Sequence, residues 1–210
     1  MRETLYQRIR VMIVGVLLVW FDQAVFAEAT TIMPIDPRAT YLRAYLDPNA
    51  LNAFVVDLGG LGFGSGDLIS LTRLGAFDCS FGNCGDSSLG LGGVFSSSTV
   101  LASSDQQYRV MGAIDAGPEL NSLMTTLFGD VHLDIPQDFA ITGSGVVLSM
   151  PIGARYLFVG AYDTFWGDNR DPNNDFALQI ARVNPVPEPG TVVLLSSGLL
   201  GLLAWRRVRR

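Results

Sequence analysis

Between Asp163 and Asp175, seven of thirteen residues are Asp or Asn, a density of side-chain oxygens that suits a hard cation. Calcium takes roughly six to eight oxygen ligands from carboxylates, amide carbonyls and backbone C=O, and a flexible acidic loop can supply them. The candidate ligands are Asp163, Asp168, Asn169, Asp171, Asn173 and Asp175. Asp171, Asn173 and Asp175 have the one-three-five spacing of a calcium loop, but the sixth position is Phe176 instead of Gly and the twelfth is Arg182 instead of Glu. An EF-hand is therefore excluded. The same residue types have a second use, because Asp and Asn side chains satisfy backbone amides in long turns. Both uses stay open at this level. Phe165 and Trp166 sit inside the loop, where an exposed ring beside cation ligands can stack on the apolar face of a pyranose and a buried one would cap the end of a core.

Other chemistry is sparse. Cys79 and Cys84 form an isolated pair in a Gly/Asn/Asp segment, which in an exported chain is most simply a disulfide. Two thiols with the sole histidine, His132, far away make a poor zinc set. His132 alternates with Val131 and Leu133 as in an ordinary strand edge. No nucleophile elbow or metalloprotease helix occurs. Paired carboxylates for glycoside hydrolysis stay open because Asp is abundant, yet Glu119 and Glu28 are the only Glu between 28 and 186. The chain reads as a binder and not as an enzyme.

The elements that must position the loop are strands. Phe176, Leu178 and Ile180 alternate with Ala177, Gln179 and Ala181, and Val146, Leu148 and Met150 alternate with Val147 and Ser149. Further strands are expected over Leu51–Val56, Asp67–Leu74, Leu89–Phe95, Thr99–Leu101, Tyr108–Ile114 and Tyr156–Ala161. Only 118–128 could form a short helix, Pro118 and Glu119 suiting its first turn. Many short strands punctuated by Gly, Ser, Asn and Asp argue for an all-β chain with a single antiparallel β-sandwich of jelly-roll or lectin-like type.

Both ends of the chain read as addresses. Arg2, Arg8 and Arg10 precede an apolar run from Val11 to Phe21, and Val25-Phe26-Ala27 supplies small residues before a cleavage point, so residues 1–27 are expected to be a signal peptide for the Sec export machinery. At the other end come Pro187-Glu188-Pro189, an apolar run from Thr191 to Trp205, and Arg206, Arg207, Arg209 and Arg210. The prolines forbid a helix or a central strand there, so the globular part, 28–185, ends before them. The run is short for a membrane helix, about 22 Å, and the arginines should hold its far end in the cytoplasm.

This tail, 186–210, closely resembles the PEP-CTERM sorting signal of Gram-negative bacteria that make exopolysaccharide. The resemblance implies a membrane-embedded protease of the exosortase type acting near the motif. It also implies a transient stay at the inner membrane and release or re-anchoring at the cell surface or in the extracellular matrix. A second resemblance covers the middle of the chain. The strand Tyr156–Ala161, then Asp163 with Asp168 and Asn169, then an alternating strand, is similar to the C-terminal loop of the calcium-dependent galactophilic bacterial lectins, and Gly66–Leu71 is similar to an early segment of that β-sandwich. It implies calcium held by Asp163, Asp168 and Asn169 and sugar bound through its hydroxyls to the metal.

Residues 28–186 hold 17 acidic residues against 7 arginines. Such a surface repels phosphate backbones and excludes nucleic acid as a partner, while it suits cations or neutral sugars. The expected function is binding of extracellular polysaccharide, with calcium as cofactor. A structural matrix protein without a discrete site and a secreted glycoside hydrolase are the alternatives.

Overall fold

The structure, a computed structural model, describes residues 30–80, 84–88, 90–117, 135–163, 165–183 and residue 198. The helix expected over 118–128, His132, Glu119, the signal peptide and the sorting residues Pro187, Glu188, Pro189, Arg206 and Arg207 lie outside them. Among the described residues no helix is long and apolar enough to cross a membrane.

Among the described residues eleven strands follow in order: β1 Thr30–Pro34, β2 Ala39–Thr40, β3 Leu51–Asn52, β4 Phe54–Asp57, β5 Leu68–Leu74, β6 Leu91–Ser96, β7 Ala113–Ile114, β8 Phe139–Ala140, β9 Val146–Ser149, β10 Tyr156–Ala161 and β11 Ala177–Arg182. One antiparallel sheet has the order β1-β11-β5-β9, and the other has β4-β10-β6, with β7 and β8 both pairing along the free edge of β6. Early and late strands thus interleave in both layers. Two facing sheets ordered β1-β11-β5-β9 and β4-β10-β6-β8 have the strand order of a jelly roll. The core is where their alternating apolar residues meet: Phe176, Leu178 and Ile180 from one sheet, Leu157, Val159 and Phe95 from the other, all buried. Phe77 meets Phe176 edge-on at 5.0 Å, and Phe95 stacks on Phe139 at 5.3 Å, arrangements that suit the ring quadrupoles.

The strands expected from alternation at β5, β6, β9, β10 and β11 are present. Leu51–Val56 is interrupted at Ala53, and β2 pairs with β3 in parallel, a departure from a purely antiparallel plan. Thr99–Leu101 and Tyr108–Ile114 are not full strands: a single bridge joins Leu101 to Val110, and only Ala113–Ile114 adds to the sheet. Tyr108 has a φ of 54°, which takes it out of the extended region and breaks the run. Strand β1 escapes an alternation search because Thr30-Thr31-Ile32-Met33 does not alternate polar with apolar residues and the strand ends on Pro34. A proline is tolerated there because β1 lies at a sheet edge.

The outer face of the β4-β10-β6 sheet is roofed by the segment that carries β2 and β3. Gly160 allows this, since a Cβ there would stand 2.9 Å from Ala39 O and from Thr40 Cα. Buried Arg109 ties the roof together, donating to Leu42 O (2.6 Å), Asn52 Oδ1 (2.9 Å) and Ala102 O (3.1 Å). A buried guanidinium is tolerable only when its fork is satisfied in this way.

Candidate functional site

Strand direction brings three loops to one end of the sandwich: 35–53 after β1, 75–90 after β5, and 162–176 between β10 and β11. They are laced together by backbone and carboxylate. Asp78 and Arg170 exchange two backbone hydrogen bonds, 2.7 and 2.8 Å. Asp47, 6% exposed, receives the amides of Trp166 and Gly167 on Oδ2, both at 2.7 Å, and that of Asn49 on Oδ1 at 3.2 Å. Gly167 is needed for this approach, because a Cβ there would lie 2.4 Å from Asp47 Oδ1. One carboxylate therefore holds two loops that are 119 residues apart in sequence.

The acidic loop divides into two parts with different environments. Its first part folds inward. A turn closes from Asn169 N to Trp166 O (3.0 Å), and Asn169 is 3% exposed with its Nδ2 donating to Pro37 O at 2.9 Å. The Oδ1 of Asn169 and the Oδ1 of Asp168 are buried without a hydrogen-bond donor, and Asp163 Oδ2 is buried as well. Burial pushes the Asp168 carboxyl up. Its own backbone amide opposes this, and the nearby charges of Asp47 and Asp78 push it further up. Unpaired acceptors in a closed site are costly, and a cation is one partner that could satisfy these two. The donor set fits calcium: it is all oxygen, of mixed carboxylate and amide type.

The second part of the loop faces water, and its side chains largely close a turn. Asp171 accepts the amides of Asp175 (3.3 Å) and Phe176 (3.0 Å), and Asn173 Oδ1 also accepts that of Asp175 (3.2 Å). The one-three-five spacing is used here to satisfy backbone. Carboxylate oxygens of Asp171, Asp175 and Asp86, from the 75–90 loop, lie within 4.8 Å of one another. Asn173 Nδ2 donates to Asp86 (2.5 Å) and to Asp175 (3.1 Å). Desolvation, then Asp175, Asp171 and Asp78, push the Asp86 carboxyl up.

Between 34–38 and 167–174 opens a cleft of about 570 Å³, with Asn169 in its wall and Asp36, Arg38, Arg170, Asp171 and Asn174 around it. Arg38 grips Asp36 through Nε (3.0 Å) and Nη2 (2.7 Å), a bidentate fork of the kind that fixes geometry. Asp36 is held below the usual carboxylate range, first by that side-chain bond. The two aromatic candidates part ways. Trp166 is 1% exposed and its indole N–H donates to Ala161 O at 2.8 Å, so it caps the core and presents no open face to a ligand. Phe165 is half-buried and lines a small recess with Tyr45 and Leu46.

Cys79 and Cys84 are bonded, with Cα atoms 5.6 Å apart. The bridge closes a very short loop, so Cys79→Ser is expected to weaken the fold by no more than about 2 kcal/mol on chain-entropy grounds. Urea unfolding of the two proteins checks this, and a loss well above that value would show the bridge to be holding more than its own loop.

Asp47, Asp78, Asp86 and the Asp36–Arg38 pair were not singled out by the residue pattern. Asp47-Pro48-Asn49 does carry a turn signal, yet nothing local tells that its carboxylate reaches 166–167.

Residues 185–210 match the PEP-CTERM protein-sorting motif. Neither a curated protein nor a solved structure matches the chain, so the likeness to galactophilic lectins stands on the quoted residues alone. Strand order and tail together describe an exported all-β protein, sorted by way of the membrane through a PEP-CTERM motif, which implies processing by an exosortase.

Proposed function

We propose that the sandwich is a calcium-held binding module for extracellular polysaccharide, acting without turnover. The observation that carries this reading is the pair of buried, donorless oxygens, Asn169 Oδ1 and Asp168 Oδ1, on neighbouring residues of which Asn169 also lines an open cleft. Asp163, Asp168 and Asn169 would hold the ion. Asp171, Asn173 and Asp175 shape the rim of the loop. Bound calcium supplies a positive centre with open coordination positions for vicinal sugar hydroxyls, and the Asp36–Arg38 fork and Asn174 offer acceptors and donors alongside. A cleft of this volume suits one or two sugar rings, being within the range of roughly 300–1,000 Å³ typical of small-ligand sites. The strongly acidic surface supports a neutral polymer over an anionic one.

Calorimetric titration of the protein with calcium is expected to show one site of about micromolar affinity, and a glycan array is expected to give signal with calcium and none with chelator. Absence of calcium heat would overturn the reading. Calcium binding with no glycan retained on any array feature would leave a structural matrix protein with a stabilising ion.

A further inference from the structure

The chain enters the sandwich at Thr30 and leaves it after Arg182, and these two points are neighbours: Thr30 pairs with Ala181, and the Val183 amide donates to Leu68 O at 2.9 Å. Strand β11 therefore carries the chain about 17 Å from the acidic loops to the opposite end of the molecule. The two ends differ in kind. The three loops at the site end hold eight aspartates against Arg38, Arg43 and Arg170. At the far end the loops 58–67 and 150–155 and the adjoining strand ends carry Asp57, Asp67, Arg155 and Arg182, which pair as Arg155–Asp57 (3.7 Å) and Arg182–Asp67 (2.5 Å). These two loops are charge-balanced in an otherwise strongly acidic domain.

The far end is also apolar at its tips. Ile152 is 90% exposed, the most exposed large apolar side chain among the described residues, and Leu61 and Leu68 are exposed beside it in the fold. Ile152 has no freedom to fold away. It occupies the second position of a turn closed by Ala154 N to Pro151 O (3.1 Å), whose third residue, Gly153, has a φ of 84°. The turn is in turn fixed to the glycine-rich loop, Gly153 N donating to Ser65 Oγ (3.3 Å) and Gly66 N to Met150 O (2.8 Å).

Chain length says what lies beneath. From Val183 to Pro187 is four steps, and to the start of the apolar run at Thr191 eight, so this end cannot stand more than about 28 Å from that run even with the linker fully extended. We propose that this end of the sandwich is a lipid-docking surface. It rests on the phospholipid headgroups with Ile152 and Leu61 inserted while the sorting segment holds the chain at the membrane, and the acidic cleft faces away from the bilayer. The proposal rests on the sorting motif and is independent of the calcium reading. Electrostatics favours the same orientation, since an anionic surface repels the aspartate-rich loops and is indifferent to the balanced loops 58–67 and 150–155.

Among the described residues both cysteines are bonded to each other, so a single added thiol can be labelled. The full chain carrying Ile152→Cys with an environment-sensitive fluorophore would be reconstituted into phosphatidylethanolamine/phosphatidylglycerol vesicles containing headgroup-level spin-labelled lipid. The comparison is the full chain labelled at Ser144→Cys, an exposed position at the site end. Quenching at 152 is expected to exceed that at 144 at least threefold, Leu61→Cys should behave as 152 does, and adding Ile152→Asp should cut the quenching at 61 by half or more. Ile152 is so exposed that its replacement does not touch the core. Equal quenching at both ends would overturn the proposal, and so would quenching at 152 that appears only when an exosortase is reconstituted alongside, which would make the contact protein and not lipid.

Discussion

Replacing Asp47 by alanine is expected to destabilise the domain by about 3 kcal/mol, the largest loss of any single change in the site. Two amides, of Trp166 and Gly167, would lose a charged acceptor at 2.7 Å. Trp166 and its surroundings are buried, so water cannot replace the carboxylate freely, and each unmet amide costs on the order of 1–3 kcal/mol. Relief of the repulsion between Asp47 and Asp168 offsets part of this, which is why the sum is set below the upper limit. Asp47→Asn keeps an acceptor oxygen and the shape and should lose only about a third as much. Urea unfolding followed through tryptophan fluorescence reads both. A loss under about 1 kcal/mol for the alanine variant would mean that the two loops dock without this carboxylate.

Calcium is expected to raise the melting temperature by about 10 °C. A site of micromolar affinity in millimolar ion gains roughly 4 kcal/mol by mass action, and in a domain of this size each kcal/mol moves the midpoint by about 2–4 °C. Asp168→Asn should abolish most of the gain, since it removes a charge while nearly keeping the shape. The gain should also depend on pH in a defined sense. Asp168 has a raised pKa in the fold, so the folded protein binds that proton more tightly than the unfolded chain does. Without calcium this penalty grows as pH rises from the ordinary aspartate pKa through the raised value, and it is gone only below the ordinary one. Calcium needs the carboxylate, so the difference between calcium and chelator should grow with pH, and on acidification it should begin to shrink while an ordinary aspartate is still charged. Melting curves in both buffers over a pH series decide the matter, and identical midpoints throughout would leave the loop as a turn only.

Much of this protein is legible from residue order. Period-two alternation at Val146–Met150 and Phe176–Ala181 predicts which side chains face the core, because in a strand successive side chains point to opposite faces whatever the partner strand. Leu148, Met150, Phe176, Leu178 and Ile180 are buried and Val147 is exposed. The sorting motif is equally local, carried by contiguous prolines, apolar residues and arginines. So is the density of oxygens at 163–175, which identifies the loop although not the work of each member.

The tertiary structure decided how that loop is used. Trp166 turns inward because the short segment after β10 places its indole within reach of Ala161 O, whereas composition alone allowed it to face solvent. Asn169 is buried and Asn173 exposed, although both are asparagines in one polar run. What separates them is the 35–53 loop, which covers the first and leaves the second. That loop reaches 162–176 only because β1 pairs with β11 and β4 with β10, and these pairings join segments about a hundred residues apart or more. Local pattern records which face of a strand is apolar. It does not record which strand lies alongside, and strand order determines that Asp47, Asp78 and Asp168 lie at one end while the chain leaves the sandwich at the other.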